Sequence, residues 1–167
     1  YQLIKNEKEI EDWMKQSEEI GEFAIDTETT SLDPHTAKLV GISISNRIGN
    51  ACYIPLNHVS GNNLNEKKVL SILKNYLEDE SIKKIGQNIK YDCLVLKRHG
   101  IELKGIAFDS MIAEHILHPD KHSYKLDNLS LEYLGYEMQP IEELIGSGKE
   151  QISMAEVPLD DISFYAV

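Results

Sequence analysis

Three short apolar runs crowd the first third of the chain, and their spacing constrains its fold more than any other feature. Residues 22–26 form a strand-length apolar run. In Ala37-Lys38-Leu39-Val40-Gly41-Ile42-Ser43-Ile44-Ser45, Leu39, Gly41 and Ser43 alternate with Val40, Ile42 and Ile44. That period of two reads as a strand with one buried face. Residues 51–56 make a third strand after the turn-forming Arg47-Ile48-Gly49-Asn50. Strands this close, joined by short turns, pair as an antiparallel meander.

From residue 65 the period becomes helical. Val69, Leu70, Leu73, Tyr76 and Leu77 share a face, and Asn65 is placed to cap with Lys68 three residues on. Residues 83–86 and 105–108 read as brief strands on either side of a helix at 88–99 that ends at Gly100. Helices are expected near 109–117, 126–134, 141–144 and from 159 onward. Ile4, Ile10, Trp13 and Met14 mark an amphipathic helix within 4–20. A meander followed by alternating strands and helices predicts an α/β fold with a mixed five-stranded sheet and helices on both faces. The strands from Glu22 and Ala37 are expected to pair antiparallel, and those from Lys83 and Gly105 to lie parallel to the first.

At 167 residues the chain has the length of one domain. Its two cysteines, Cys52 and Cys93, imply no disulfide framework, and a reducing, cytoplasmic setting accounts for them most simply. No apolar run approaches the ~20 residues of a membrane span. The net charge of −11 argues against a stand-alone nucleic-acid binder that works through excess Lys and Arg. A nuclease that bridges its acids to phosphate through divalent cations escapes that exclusion. The missing initiator Met and the end at Val167 are read as those of a single domain, 1–167, excised from a longer protein.

Chemistry concentrates in Phe23-Ala24-Ile25-Asp26-Thr27-Glu28-Thr29 and Gly86-Gln87-Asn88-Ile89-Lys90-Tyr91-Asp92. Residues i and i+2 of a strand share a side, so Asp26 and Glu28 face one spot. Like charges held that close call for a cation between them. Asp92 falls one turn into a helix opening at Asn88. Asp160-Asp161 opens another helix, with Tyr165 one turn beyond Asp161. Acids converging from separate elements suit a pair of hard cations on a phosphodiester.

In order and spacing these segments resemble the proofreading 3′–5′ exonuclease domain of bacterial DNA polymerase I. That domain lies within the DEDD (DnaQ-like) exonucleases of the ribonuclease H-like fold. Ile25-Asp26-Thr27-Glu28-Thr29 resembles the first motif, Gly86–Asp92 the second, and Ser163-Phe164-Tyr165-Ala166-Val167 the start of a third, Tyr-x-x-x-Asp. Gly105-Ile106-Ala107-Phe108-Asp109-Ser110-Met111 also has a close counterpart.

The resemblance implies metal-dependent removal of nucleotides from single-stranded or frayed DNA 3′ ends. It implies two divalent cations, Mg²⁺ or Mn²⁺ with Zn²⁺ admissible at one position, and a polymerase domain in the same full-length chain. Asp26 would bridge both metals. Glu28 would serve the tighter metal and help orient the attacking water, and Asp92 would serve the second. Tyr165 would hold the nucleophilic water, which marks the tyrosine subclass. Leu32 would wedge against the terminal base, and Thr29, Gln87, Asn88 and Tyr91 would contact the last nucleotides. The fourth acid, four residues past Tyr165, lies beyond Val167, so the 167-residue piece is expected to be impaired.

Read without the resemblance, Tyr91 is equally a packing residue, Leu32 a core residue and Asp109 an N-cap. His35, His58, His99, His115, His118 and His122 lack metal-ligand spacing, and Gly146-Ser147-Gly148-Lys149 is a loop rather than a phosphate cradle. Two alternatives compete with the DNA exonuclease: an RNA-trimming exonuclease of the ribonuclease D kind, and an inactive domain that only braces a polymerase. Retention of Asp26, Glu28, Asp92 and Tyr165 weighs against the second.

Overall fold

The computed structural model describes residues 1–166. Helix α1 (Glu7–Ile20) starts where the Asn6 side chain accepts the Glu9 amide and stops at Gly21, whose φ of 83° only glycine adopts cheaply. Before it, β1 (Gln2–Leu3) is a two-residue strand too short for periodicity to reveal. The meander follows as β2 (Glu22–Thr29), β3 (Leu39–Arg47) and β4 (Asn50–Pro55). Then come α2 (Glu66–Leu77), β5 (Lys83–Gly86), α3 (Ile89–Arg98) and β6 (Ile106–Asp109). The rest is α4 (Ser110–Leu117), α5 (Leu126–Leu134), α6 (Ile141–Ile145), two single 3₁₀ turns, and α7 (Leu159–Tyr165).

The sheet runs β1-β4-β3-β2-β5-β6. It is six-stranded, one more than the sequence suggested, because β1 pairs parallel with β4. As expected, β2 pairs antiparallel with β3, and β5 lies parallel to both β2 and β6. The expectation of one buried face on β3 fails: eight of its nine residues lie below full exposure, most of them buried. The cause is that both faces of the sheet are covered, one by helices and the other by the C-terminal segment. A β-bulge at Glu28/Thr29 also shifts the register, so that Leu39 joins Ile42 and Ile44 rather than Gly41 and Ser43.

On that face Phe23, Ile25, Leu39, Ile42 and Ile44 pack under α1, α2 and α3 through Ile10, Met14, Leu73, Leu77, Val95 and Leu96. The other face carries Asp26 and Glu28 and is covered from the C-terminal segment. There Tyr53 packs with Met154, Val157 and Ile162. Burying those apolar side chains drives both layers together.

Candidate active site

β2 outruns its parallel neighbour. Its pairing with β5 ends at Ala24, while β3 accompanies it to Thr29, so past Ala24 one edge of β2 carries unpaired amides. α3 fills that gap. Asp92 Oδ1 accepts the Thr27 backbone N–H at 2.9 Å and the Thr27 hydroxyl at 2.6 Å. The acid is thereby fixed at the strand edge beside the other two, and only 2% of it is exposed.

α3 itself is aimed by an unusual N-terminus. Asn88 sits at φ 55°, the one non-glycine residue at positive φ among the described residues, and its side chain caps nothing. Asp109, from the end of β6, accepts the amides of Asn88 at 3.2 Å and Ile89 at 2.8 Å. It also caps α4 through Ile112 at 3.1 Å. The expected N-cap role of Asp109 is therefore met, and the same carboxylate serves a second helix.

Asp26 and Glu28 stand on one side of β2, facing a cleft of ≈ 470 Å³ lined also by Ser43, Gly86, Gln87, Ser110, Leu126 and Tyr165. Glu28 is 9% exposed, whereas Asp26 opens onto the cleft. Desolvation by the surrounding walls, then Glu28, then Asp92, raises Asp26 well above the usual carboxylate range. Burial and the charge of Asp92 push Glu28 up to about 7. Asp92 rises to about 6 by burial, with the two Thr27 hydrogen bonds opposing the rise. Three acids raised together beside one cleft store like-charge repulsion that bound cations would relieve.

Above them, burial and the charges of Glu28 and Asp26 push the Tyr165 hydroxyl up to about 12, so at neutral pH it remains a hydrogen-bond donor. Among the described residues no three carboxylate, imidazole or thiol groups are drawn into a closed metal shell. The donor set is nevertheless hard oxygen throughout, and no hydrogen bond to Asp92 Oδ2 is found among the described residues. Mg²⁺ and Mn²⁺ fit such donors; Zn²⁺ usually takes imidazole or thiolate.

The substrate candidates fall at the rim. The hydroxyls of Thr29 and Tyr91 hydrogen-bond each other, and Tyr91 also donates to the Ser31 carbonyl. Tyr91 thus ties loop 30–38 to α3 as well as packing against the core. Leu32, on that loop, is 95% exposed, so the reading of it as a core residue is wrong. The loop turns outward at the bulge, and Arg98 fixes it by donating to the carbonyls of Pro34 and Ala37. Gln87 donates to the Tyr124 carbonyl at 2.8 Å and accepts from the Ser110 hydroxyl.

Sequence reasoning missed Ser43. It lies directly across from Asp26, lines the cleft, and keeps a buried hydroxyl with no hydrogen-bond partner among the described residues. Once the register is known, its position in the strand would have revealed it. Three of the six histidines make local bonds: His99 meets Glu66, His118 meets Glu114, and His58 meets Tyr53. Val167, the last residue quoted for the third motif, lies outside the described residues.

A family profile described as 3′–5′ exonuclease matches residues 1–167. The DNA polymerase I of Pseudomonas aeruginosa is 34% identical over 171 residues, covering 99% of this chain and 19% of that protein. The chain thus spans about a fifth of the length of the curated relatives it matches. Escherichia coli RNase D, an exoribonuclease involved in structured RNA processing, superposes with a TM-score of 0.67 at 20% identity, over 86% of this chain and 36% of that one. Brucella melitensis NrnC with bound Mg²⁺ gives 0.61 at 24% identity, over 87% of this chain and 64% of that one. Both are likenesses of fold, and they agree with the ribonuclease H-like sheet described above. With residues 1–167 matched by that profile and 99% of the chain aligned with DNA polymerase I, the chain belongs to the 3′–5′ exonuclease domain family of bacterial DNA polymerase I.

Proposed function

We propose that the domain removes nucleotides one at a time from single-stranded or frayed DNA 3′ ends by two-metal-ion hydrolysis, as the proofreading part of a longer cytoplasmic polymerase chain. The observation that carries this reading is that Asp26, Glu28 and Tyr165 line one cleft, with Asp92 tied to Thr27, the residue between the two acids. Asp26, Glu28 and Asp92 would hold Mg²⁺ or Mn²⁺. When bound, such ions supply charge stabilisation at the scissile phosphate and lower the pKa of a water. The third motif, Tyr-x-x-x-Asp, would add a fourth acid one helical turn past Tyr165.

The chain's own residues do the rest. Tyr165 donates a hydrogen bond that orients the attacking water. Leu32, pinned yet exposed, stacks against the terminal base and separates it from its neighbour. Thr29, Tyr91, Gln87 and the turn at Asn88 contact the last nucleotides. The acidic surface is tolerated because binding runs through the cations rather than through excess Lys and Arg.

The test uses the chain extended through the third-motif acid, with a 5′-labelled DNA strand. The expected result is a ladder shortening from the 3′ end with Mg²⁺ or Mn²⁺, and none in chelator. Undiminished digestion by a D26A/E28A variant would sink the reading. Faster trimming of RNA than of DNA would favour the ribonuclease D alternative, and a lack of digestion under every metal would favour a bracing role.

A further inference from the structure

Helix α7 must hold Tyr165 over the acids, yet it has seven residues and no side-chain cap. A helix that short does not hold its place by itself; packing must seat it. The seat is loop 57–63, between β4 and α2. Asn63 closes this loop on itself, accepting the His58 amide at 2.8 Å and donating to the His58 carbonyl at 2.7 Å. The Val59 amide bonds the Ala155 carbonyl at 2.7 Å, anchoring the stretch that leads into α7. Gly61, at φ +95°, lies so close to the helix that a Cβ there would meet Leu159 at 2.5 Å.

His58 joins this seat to the acid-bearing sheet. It is 5% exposed, its Nε2 is 2.8 Å from the Tyr53 hydroxyl, and its buried Nδ1 has no hydrogen-bond partner among the described residues. Tyr53 is fully buried and packs on Met154, Val157 and Ile162. Its hydroxyl fills the space a Cβ on Gly41 would need, at 2.0 Å, and Gly41 is the strand partner of Glu28. Burial holds the His58 imidazole below its usual pKa, so an uncharged ring occupies the seat at neutral pH.

We propose that His58 is a positioning residue: through Tyr53 and loop 57–63 it sets where α7, and therefore the Tyr165 hydroxyl, stands over Asp26 and Glu28. This rests on the reading of Tyr165 as the group that orients the attacking water. Displacing such a group by a fraction of a hydrogen-bond length lowers the rate without touching substrate contacts.

The experiment compares native chain, Tyr53→Phe, His58→Leu and His58→Gln by amide hydrogen exchange. In Tyr53→Phe and His58→Leu, exchange across 155–166 is expected to rise about tenfold, with β2, β3 and α3 unchanged. In the extended chain kcat on single-stranded DNA should fall about tenfold with KM within about twofold, the scale of a lost supporting contact. His58→Gln, whose amide can keep the Tyr53 bond, should recover most of that loss. In a Tyr165→Phe background the His58 change should add nothing.

Unchanged exchange at 155–166, a uniform rise over the whole chain, or multiplying His58 and Tyr165 effects would each overturn the proposal. If His58→Leu fails to fold, Tyr53→Phe, which removes one hydroxyl, decides the matter by the same readouts. A Tyr165→Phe enzyme of native rate would instead overturn the reading of Tyr165. The exchange measurement tells the two failures apart, because it reports on α7 directly.

Discussion

The strand-rich part up to Leu103 and the helical part from Ile106 are built on different terms. The first supplies every buried residue of the main core. The second buries few large apolar side chains, chiefly Leu129, Met154, Val157 and Ile162, and leaves Ile112, Ile116, Leu131 and Leu134 more than half exposed. Asp26, Glu28 and Asp92 therefore sit on elements held by sheet pairing and a dense core, whereas Tyr165 rides on a short helix resting on a small cluster. On the proposed reading, the acids that would hold metal are placed where the fold is hardest to deform, and the hydroxyl that would orient water where it deforms most easily.

The largest effect expected from this contrast is on catalysis. Replacing Asp26 and Glu28 by Ala in the extended chain should cut single-turnover hydrolysis by roughly 10³-fold or more, because it removes both carboxylates that line the cleft. Tyr165→Phe should cost only about 10- to 100-fold, one orienting hydrogen bond. The acid variant should keep its thermal midpoint or gain, since like-charge repulsion goes with the carboxylates. If Tyr165→Phe were as damaging as the loss of both acids, the distinction between the two regions would not hold.

Legibility followed the same division. The meander, the parallel partners and the Asn65 cap were readable because apolar alternation and cap chemistry are local signals. The bulge at Glu28/Thr29 was not, since it depends on how two strands align, and it reassigned Leu39. β1 was invisible because two residues carry no period. In the site, Asp26 and Glu28 follow from period two alone. The tie from Asp92 to Thr27 needs a partner 65 positions away, and the double duty of Asp109 needs one about 20 away. His58 looked idle for the same reason: its partners are set by the packing of the C-terminal segment.

A core substitution sharpens the comparison in energetic terms. Leu73 in α2 and Ile162 in α7 are both fully buried. Leu73→Ala should cost about 2–5 kcal/mol, which for a domain of this size means roughly 5–15 °C of thermal midpoint. Ile162→Ala should move the midpoint by no more than about 3 °C, because α7 can come away without unfolding the sheet. Its effect should appear instead as faster amide exchange confined to 155–166. Equal losses of midpoint would show that the two regions unfold as one.

Protonation separates them more gently. Glu28 and Asp92 have folded-state pKa values of about 7 and about 6, above those of the unfolded chain. Between pH ~4.5 and 7 the folded state binds more protons than the unfolded one, so stability without metal falls as pH rises. A drop of several degrees in thermal midpoint is expected across that window. Millimolar Mg²⁺ should shrink it by binding only the folded acids. D26A/E28A should reduce it to the part that the buried Asp92 contributes, while Tyr165→Phe should leave it in place. A flat native profile in chelator would mean the acids are not strained.

The smallest effect concerns Leu32, the residue that least resembles its surroundings. It belongs to the strand-rich part, yet it is 95% exposed on a loop pinned by Tyr91 and Arg98. With its side chain this exposed, Leu32→Ala should change stability by no more than about 0.5 kcal/mol. A wedge acts only when a base must be separated from its neighbour or a strand must be melted. The rate on unstructured single strands should therefore change by less than about threefold. The rate on a paired 3′ end should drop further, because unstacking a terminal step costs a few kcal/mol that an apolar insert offsets. The ratio of the two rates, taken on one labelled strand with and without its complement, is the quantity to measure. A ratio unmoved by Leu32→Ala would leave the exposed leucine without a role in the site.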